Sequence, residues 1–166
     1  GASASRNIGA SSIPKYRRQG RVMFIDDDVY MLPKWDQRLG SWDSTTVFSG
    51  HAHPFNKAAG QIRMPSGLML DAPGVLSTVH LAMPWEIWDG VGYFVEPGGP
   101  GGSEDVEWCA RAVKKGYRLG VTNPMCVVHC GLTSSSGQKI VGYDLMMEMN
   151  RKLVAEYGLT GKVQFG

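Results

Sequence analysis

Residues 21–25, Arg-Val-Met-Phe-Ile, run straight into three consecutive aspartates, Asp26, Asp27 and Asp28. A short apolar run with no period of its own is what a strand buried on both faces of a parallel sheet looks like. Such a strand must sit inside a sheet while its carboxyl end opens onto something that tolerates concentrated negative charge. In an extended segment alternate side chains share a side, so Asp26 and Asp28 converge and Asp27 points away. Two converging carboxylates suit Mn²⁺ or Mg²⁺, which take one or two such ligands and complete their shell from substrate phosphates. Ligands of open α/β sheets also gather beyond the carboxyl ends of strands. The plainer alternative, an acidic surface turn, has to hold three adjacent like charges together.

Around this strand the chain reads as α/β. Residues 5–16 predict a short helix that Pro14 restricts to early or broken turns, with Gly20 closing the connection. Residues 43–83 hold candidate strands at 45–48, 60–64 and 75–83, separated by turn formers, and predict a β-rich section that is antiparallel in part. Glycine stands at 22 of the 166 positions, and six of these fall between Gly90 and Gly102, which predicts a long mobile loop. Ser103 can cap a helix that opens with Glu104 and Asp105, carries Val106, Cys109, Ala110 and Val113 on its core face, and stops at Gly116. Strands are expected at 117–121 and 125–129, and a C-terminal amphipathic helix at 143–157. The length fits one domain, in which a part ending past the Asp-x-Asp segment (1–42), a middle part (43–140) and a C-terminal helix and tail (141–166) follow one another.

Charge narrows the function. Seventeen basic against fifteen acidic residues leave +2, too little to advertise a nucleic-acid surface. No stretch approaches the roughly 18 uninterrupted apolar residues of a membrane span, and no signal peptide is recognisable, so a cytoplasmic protein is expected. Cys109, Cys126 and Cys130 are an odd number and read as buried, reduced thiols.

The candidate chemistry lies at the ends of these elements. His129 closes a strand, where it is either a third metal ligand, favouring Mn²⁺, or a structural histidine. Ser134 and Ser135 belong to a hydroxyl- and glycine-rich loop that offers donors to a diphosphate, or is a plain linker. Asp105 sits on a helix start just past a glycine-rich segment, as a general base should; its ordinary role would be compensation of the helix dipole, which Glu104 already supplies. Trp85, Trp88, Tyr93 and Phe94 flank the same loop, where aromatic faces either stack on a sugar ring or pack into the core. His51 and His53 alternate in a strand-like stretch, an arrangement compatible with metal ligation, and read first as ordinary polar loop residues.

Three segments together resemble the GT-A glycosyltransferases of the family-2 type. SASRNIGASS (3–12) resembles that family's Ala-Arg-Asn helix, FIDDDVYMLPKWDQRL (24–39) its Asp-x-Asp segment, and GGSEDVEWCARAVKKGYRLG (101–120) its Glu-Asp helix. WEIWDGVGYF (85–94) fits the loop ahead of that helix, and VVHCG (127–131) the position of a metal-binding histidine. The resemblance implies a GT-A-like mixed sheet flanked by helices, with Mn²⁺ or Mg²⁺ held by Asp26, Asp28 and His129. It further implies donor contacts from Arg6, Asp27, Ser134 and Ser135, catalytic roles for Asp105 as base and for Glu104, and an acceptor or sugar site shaped by Trp88, Gly101, Gly102 and Trp108. The reaction it implies is transfer of a sugar from a nucleotide-diphospho sugar to an acceptor hydroxyl, with inversion through Asp105; family members with a metal-binding histidine include retaining enzymes, which leaves the stereochemistry open. The family places a strand-helix-strand nucleotide-binding half ahead of the Ala-Arg-Asn segment, and no counterpart precedes residue 3. The alternatives are a truncated or processed chain, a fold completed by a second copy or a partner chain, or an unusually small nucleotide pocket, and weak nucleotide-sugar binding is expected unless the missing strands are supplied.

Two other readings compete. An incomplete or inactive domain of the same type would bind sugar nucleotide without turnover. A haloacid-dehalogenase-like phosphatase also ends an apolar strand in Asp-x-Asp, but it predicts threonine or valine where this chain has Tyr30, and a downstream acidic pair on a strand end.

Overall fold

The computed structural model describes residues 2–39, 44–50, 61–63, 69–71, 76–95, 104–122 and 126–129. In chain order they form α1 (Ala2–Ser11), a single 3₁₀ turn (Lys15–Arg17), β1 (Arg21–Ile25), β2 (Val29–Met31), α2 (Trp35–Leu39), β3 (Thr46–Ser49), β4 (Gln61–Arg63) and β5 (Met69–Asp71). Then follow β6 (His80–Pro84), α3 (Trp85–Val91), α4 (Glu104–Lys114), β7 (Arg118–Thr122) and β8 (Val127–His129). Ser103, the glycines at 98–102, the segment holding His51 and His53, Cys130, the serine loop and the expected helix at 143–157 lie outside the described residues.

Six strands make one mixed sheet in the order β1-β6-β3-β7-β5-β4, and β2 and β8 make a separate two-stranded ladder. The expectation of a parallel sheet around residues 21–25 is corrected here. β1 pairs antiparallel with β6, from Arg21 opposite Pro84 to Ile25 opposite His80, and among the described residues only β3 and β7 run parallel. β1 is also the end strand of the order, and its burial alternates because the face carrying Val22 and Phe24 packs into the core while Arg21 and Ile25 on the other face are exposed. The middle section is β-rich and partly antiparallel as read, but the long strand foreseen at 75–83 starts only at His80, after a turn at residues 78–79.

The two-residue period of the strands divides the core between the sheet faces. Val22, Phe24, Val47, Leu81, Met83, Leu119 and Val121 pack with α3 and α4, whereas Phe48 and Ala82 point the other way, against Cys126, Val127, Met31 and Trp35. Cys109 and Cys126 are buried free thiols, as expected, and burial pushes the Cys109 thiol well above its usual range, so it stays protonated.

Two expectations about the helices change. Residues 85–91 form α3, and Gly90 belongs to its last turn instead of opening a loop. On α4 the face toward the core carries Trp108, Cys109 and Ala112, each with no exposed surface, while Val113 is 37% exposed. The apolar spacing of α4 fits either rotation, and the large indole of Trp108 decides it by the area it buries.

Candidate functional site

Three segments distant in sequence meet at one guanidinium. From α1, Arg6 donates through Nη2 to Asp26 Oδ1 at 2.6 Å, just past the carboxyl end of β1, and through Nη1 to Glu104 Oε1 at 2.9 Å, at the start of α4. The three side chains retain 14%, 30% and 11% of their exposure, so the pairs work in a partly desolvated setting where charge-assisted bonds are strong. Asn7 fastens the next position of α1: its side-chain amide donates to the Phe94 carbonyl at 2.8 Å and accepts from the Phe94 N–H at 3.0 Å. Nothing in spacing or periodicity singled out Asn7 for this. Its place beside Arg6 in the Arg-Asn pair of the 3–12 segment was the available signal.

Asp26 is still tied to the sheet, because its N–H donates to the Val79 carbonyl at 3.1 Å and so extends the β1–β6 ladder by one bond. Asp27 and Asp28 then form a turn into β2, so the strand-like alternation assumed for all three aspartates does not hold beyond Asp26. Burial nevertheless separates them in the expected way: Asp26 and Asp28 are half-buried and Asp27 is exposed. The β2–β8 ladder places His129 directly opposite Val29, which brings its backbone next to the residue following Asp28. The His129 side chain, Ser134, Ser135, Gly101 and Gly102 lie outside the described residues, and among those described no three His, Cys, Asp or Glu side chains gather as a metal group.

Asp105 follows Glu104 on the first turn of α4. Removal from water is the main reason its carboxyl is pushed up to about 7, and the neighbouring Glu104 charge adds to it. Its bond from the Val106 N–H, 2.8 Å from Oδ1, and the positive charge of Arg6 oppose the shift without cancelling it. A carboxyl that ionises near neutrality is suited to proton transfer.

Of the aromatic residues flanking the glycine-rich segment, Trp85, Trp88 and Phe94 pack into the core together with Trp108, whereas Tyr93 is 54% exposed. Trp88 is 1% exposed and Trp108 has no exposed surface, so neither offers a face to a sugar. The two rings stack with centroids 6.2 Å apart, and Phe24 and Phe94 lie 4.9 and 5.3 Å from Trp88. Trp108 Nε1 donates to the Gly92 carbonyl at 2.8 Å. Arg111, braced by Glu107, donates to the carbonyls of Val91 and Tyr93 at 2.7 and 2.6 Å, and Lys115 to that of Gly90. The bonds to Gly90 and Val91 satisfy the last carbonyls of α3, those to Gly92 and Tyr93 hold the segment just past it, and Gly92 supplies the positive φ of 92° that turns the chain there. The first part of the glycine-rich segment is thus pinned from α4. Arg111 and Glu107 went unforeseen in this role, because it depends on contacts across about 20 residues of chain.

Comparison with protein-family models, with curated proteins and with solved structures finds no match to this chain. Among the described residues no helix is long and apolar enough to cross a membrane.

Proposed function

We propose that the chain is a GT-A-like glycosyltransferase domain that moves a sugar from a nucleotide-diphospho sugar to an acceptor hydroxyl with the help of Mn²⁺ or Mg²⁺. The observation that carries this reading is the convergence on Arg6. The Arg-Asn helix, the Asp-x-Asp segment and the Glu-Asp helix, resembling that family separately in sequence, meet through bonds of 2.6 and 2.9 Å. Hard oxygen donors at Asp26 and Asp28, half-buried at the carboxyl end of a strand, fit a divalent cation, and His129 is the further ligand proposed. Such a cation, when bound, offsets charge on the departing nucleoside diphosphate.

In this reading Asp105 takes the proton of the acceptor hydroxyl as it attacks the anomeric carbon, and the anomeric configuration inverts. Glu104 orients the site by holding Arg6, and Arg6, Asp27, Ser134 and Ser135 meet the donor. Acceptor contacts are assigned to the segment containing Gly101 and Gly102 and no longer to Trp88 or Trp108, whose rings are buried. A phosphatase reading is disfavoured because Glu104 and Asp105 open a helix and do not end a strand.

The test is transfer or hydrolysis of UDP- and GDP-sugars with Mn²⁺, followed by NMR at the anomeric proton. Metal-dependent consumption of one donor, abolished in Asp28→Ala with folding intact, is expected. Binding without any turnover across donors and acceptors would leave an inactive binding domain.

A further inference from the structure

The Asp26 carboxylate assigned to a divalent cation is already engaged by Arg6, and this sets up a competition. A cation approaching Asp26 meets a positive guanidinium bonded to the same oxygen at 2.6 Å, in a setting too dry for solvent to screen the repulsion fully. Arg6 has somewhere else to go, because its Nη1 is held by Glu104 at 2.9 Å, so leaving Asp26 does not strand an unpaired charge. It also has an open side: Arg6 lines a cavity of about 260 Å³ between α1 and β1, with Gly9, Ala10 and Ile13 along one wall and residues 22–25 along the other. A diphosphate matches the planar fork of a guanidinium better than a single carboxylate does, and it carries more charge.

We propose that Arg6 is a charge latch on the cation site: it occupies Asp26 in the unliganded chain, and a diphosphate draws it away, so that cation and diphosphate bind favourably only together. This deepens the glycosyltransferase reading and rests on its assignment of Asp26 and Asp28 as cation ligands. The latch keeps the aspartate pair from taking up metal without donor. It makes Arg6 a positioning residue whose effect on metal affinity is opposite in sign to that of the ligands.

Calorimetric titration of Mn²⁺ alone into the full chain tests it, with folding of each variant checked by circular dichroism. Arg6→Met is expected to bind Mn²⁺ on the order of tenfold more tightly than the unsubstituted chain, which is about 1.4 kcal/mol. Glu104→Gln, which leaves Arg6 with Asp26 as its one charged partner among these residues, is expected to bind Mn²⁺ several-fold more weakly. Asp26→Asn in the Arg6→Met background should remove the gain. Inorganic pyrophosphate without metal should bind the unsubstituted chain and lose affinity in Arg6→Met. If Arg6→Met does not fold, Arg6→Gln, which keeps an N–H donor for the carboxylates but removes the charge, takes its place and should also tighten Mn²⁺ binding. Unchanged or weaker Mn²⁺ binding in the Arg6 variants, with binding still dependent on Asp26 and Asp28, overturns the latch and leaves the cation site standing. Mn²⁺ binding indifferent to both aspartates overturns the latch together with the reading beneath it.

Discussion

Arg6 and Glu104, separated by 98 positions in the chain, are joined by a 2.9 Å hydrogen bond between Nη1 and Oε1 that fixes α1 against the first turn of α4. Everything proposed for the site depends on this junction, since it brings the Asp26 end of β1 and the Asp105 end of α4 to the same guanidinium. It also means that charge, and not apolar burial alone, sets the position of α1.

Removing the guanidinium should therefore cost stability before it costs any activity. Arg6→Ala leaves Glu104, whose side chain is only 11% exposed, without its cation, and a loss of about 2–4 kcal/mol is expected. Glu104→Gln keeps an acceptor for Arg6 and should lose about 1 kcal/mol. Urea denaturation of the two single variants and the double variant gives the coupling; additive losses would show that the pair is not the junction described.

If Asp105 is the proposed base, stability and transfer should respond to pH in opposite directions. Its folded value of about 7 lies above the ordinary 3.8, so between these limits the unfolded chain releases the proton first. Stability thus falls as pH rises from about 4 to about 7, and the penalty is constant above that. Asp105→Asn, which keeps Oδ1 as acceptor for the Val106 N–H, should raise the melting temperature at pH 8 by more than at pH 5. Transfer should rise through about pH 7 as the carboxyl ionises, and the asparagine variant should lose about 10²- to 10⁴-fold in rate. A pH–rate profile and thermal melts at both pH values check the two arms separately.

Gly50 is a close-approach position between the sheet and β8. Its N–H donates to His80 Nδ1 at 2.9 Å, and its carbonyl accepts from the N–H groups of Cys126 and Val127, both at 3.0 Å. A Cβ there would lie 2.6 Å from Cys126 Sγ and 2.8 Å from Val127 Cγ2. Gly50→Ala should cost about 1–3 kcal/mol by overpacking. Adding Cys126→Ala should recover part of the loss, and thermal unfolding of the pair would show no recovery if the clash is not with that sulfur.

Trp108 separates a core role from a ligand role. Trp108→Phe loses the bond from Nε1 to the Gly92 carbonyl and should cost about 1–2 kcal/mol. Trp88→Ala should cost about 3–5 kcal/mol through the cavity it leaves among Phe24, Phe94 and Trp108. Denaturation midpoints read both losses; an unchanged midpoint with weakened sugar binding would place these rings at a ligand site after all.

Much of the local structure was legible in the chain. The strand at 21–25 could be read because five apolar-rich residues end abruptly in aspartates, and α4 because acids, apolar spacing, lysines and Gly116, with its φ of 85°, follow the order of a helix from start to stop. α3 was obscured by the glycines at its end: Gly90 in its last turn and Gly92 just past it read as loop, although Trp85, Ile87, Trp88 and Val91 bury one side of the helix. β5, at 69–71, has three residues and takes its conformation from β4 and β7 beside it, not from its own pattern.

The sequence by itself determined where β1 ends, where α4 starts and stops, and which residues carry charge at their tips, because capping, periodicity and breakers act within a few residues. Tertiary structure alone decided the direction of β1 against β6, the burial of Trp88 and Trp108, and the engagement of Asp26 by Arg6. Each of these depends on which distant surface fills the space beside a residue. Strand direction follows the path of the connections, an indole goes wherever it excludes most water, and a guanidinium takes the carboxylates that folding brings within reach. For Arg6 these come from residues 20 and 98 positions away.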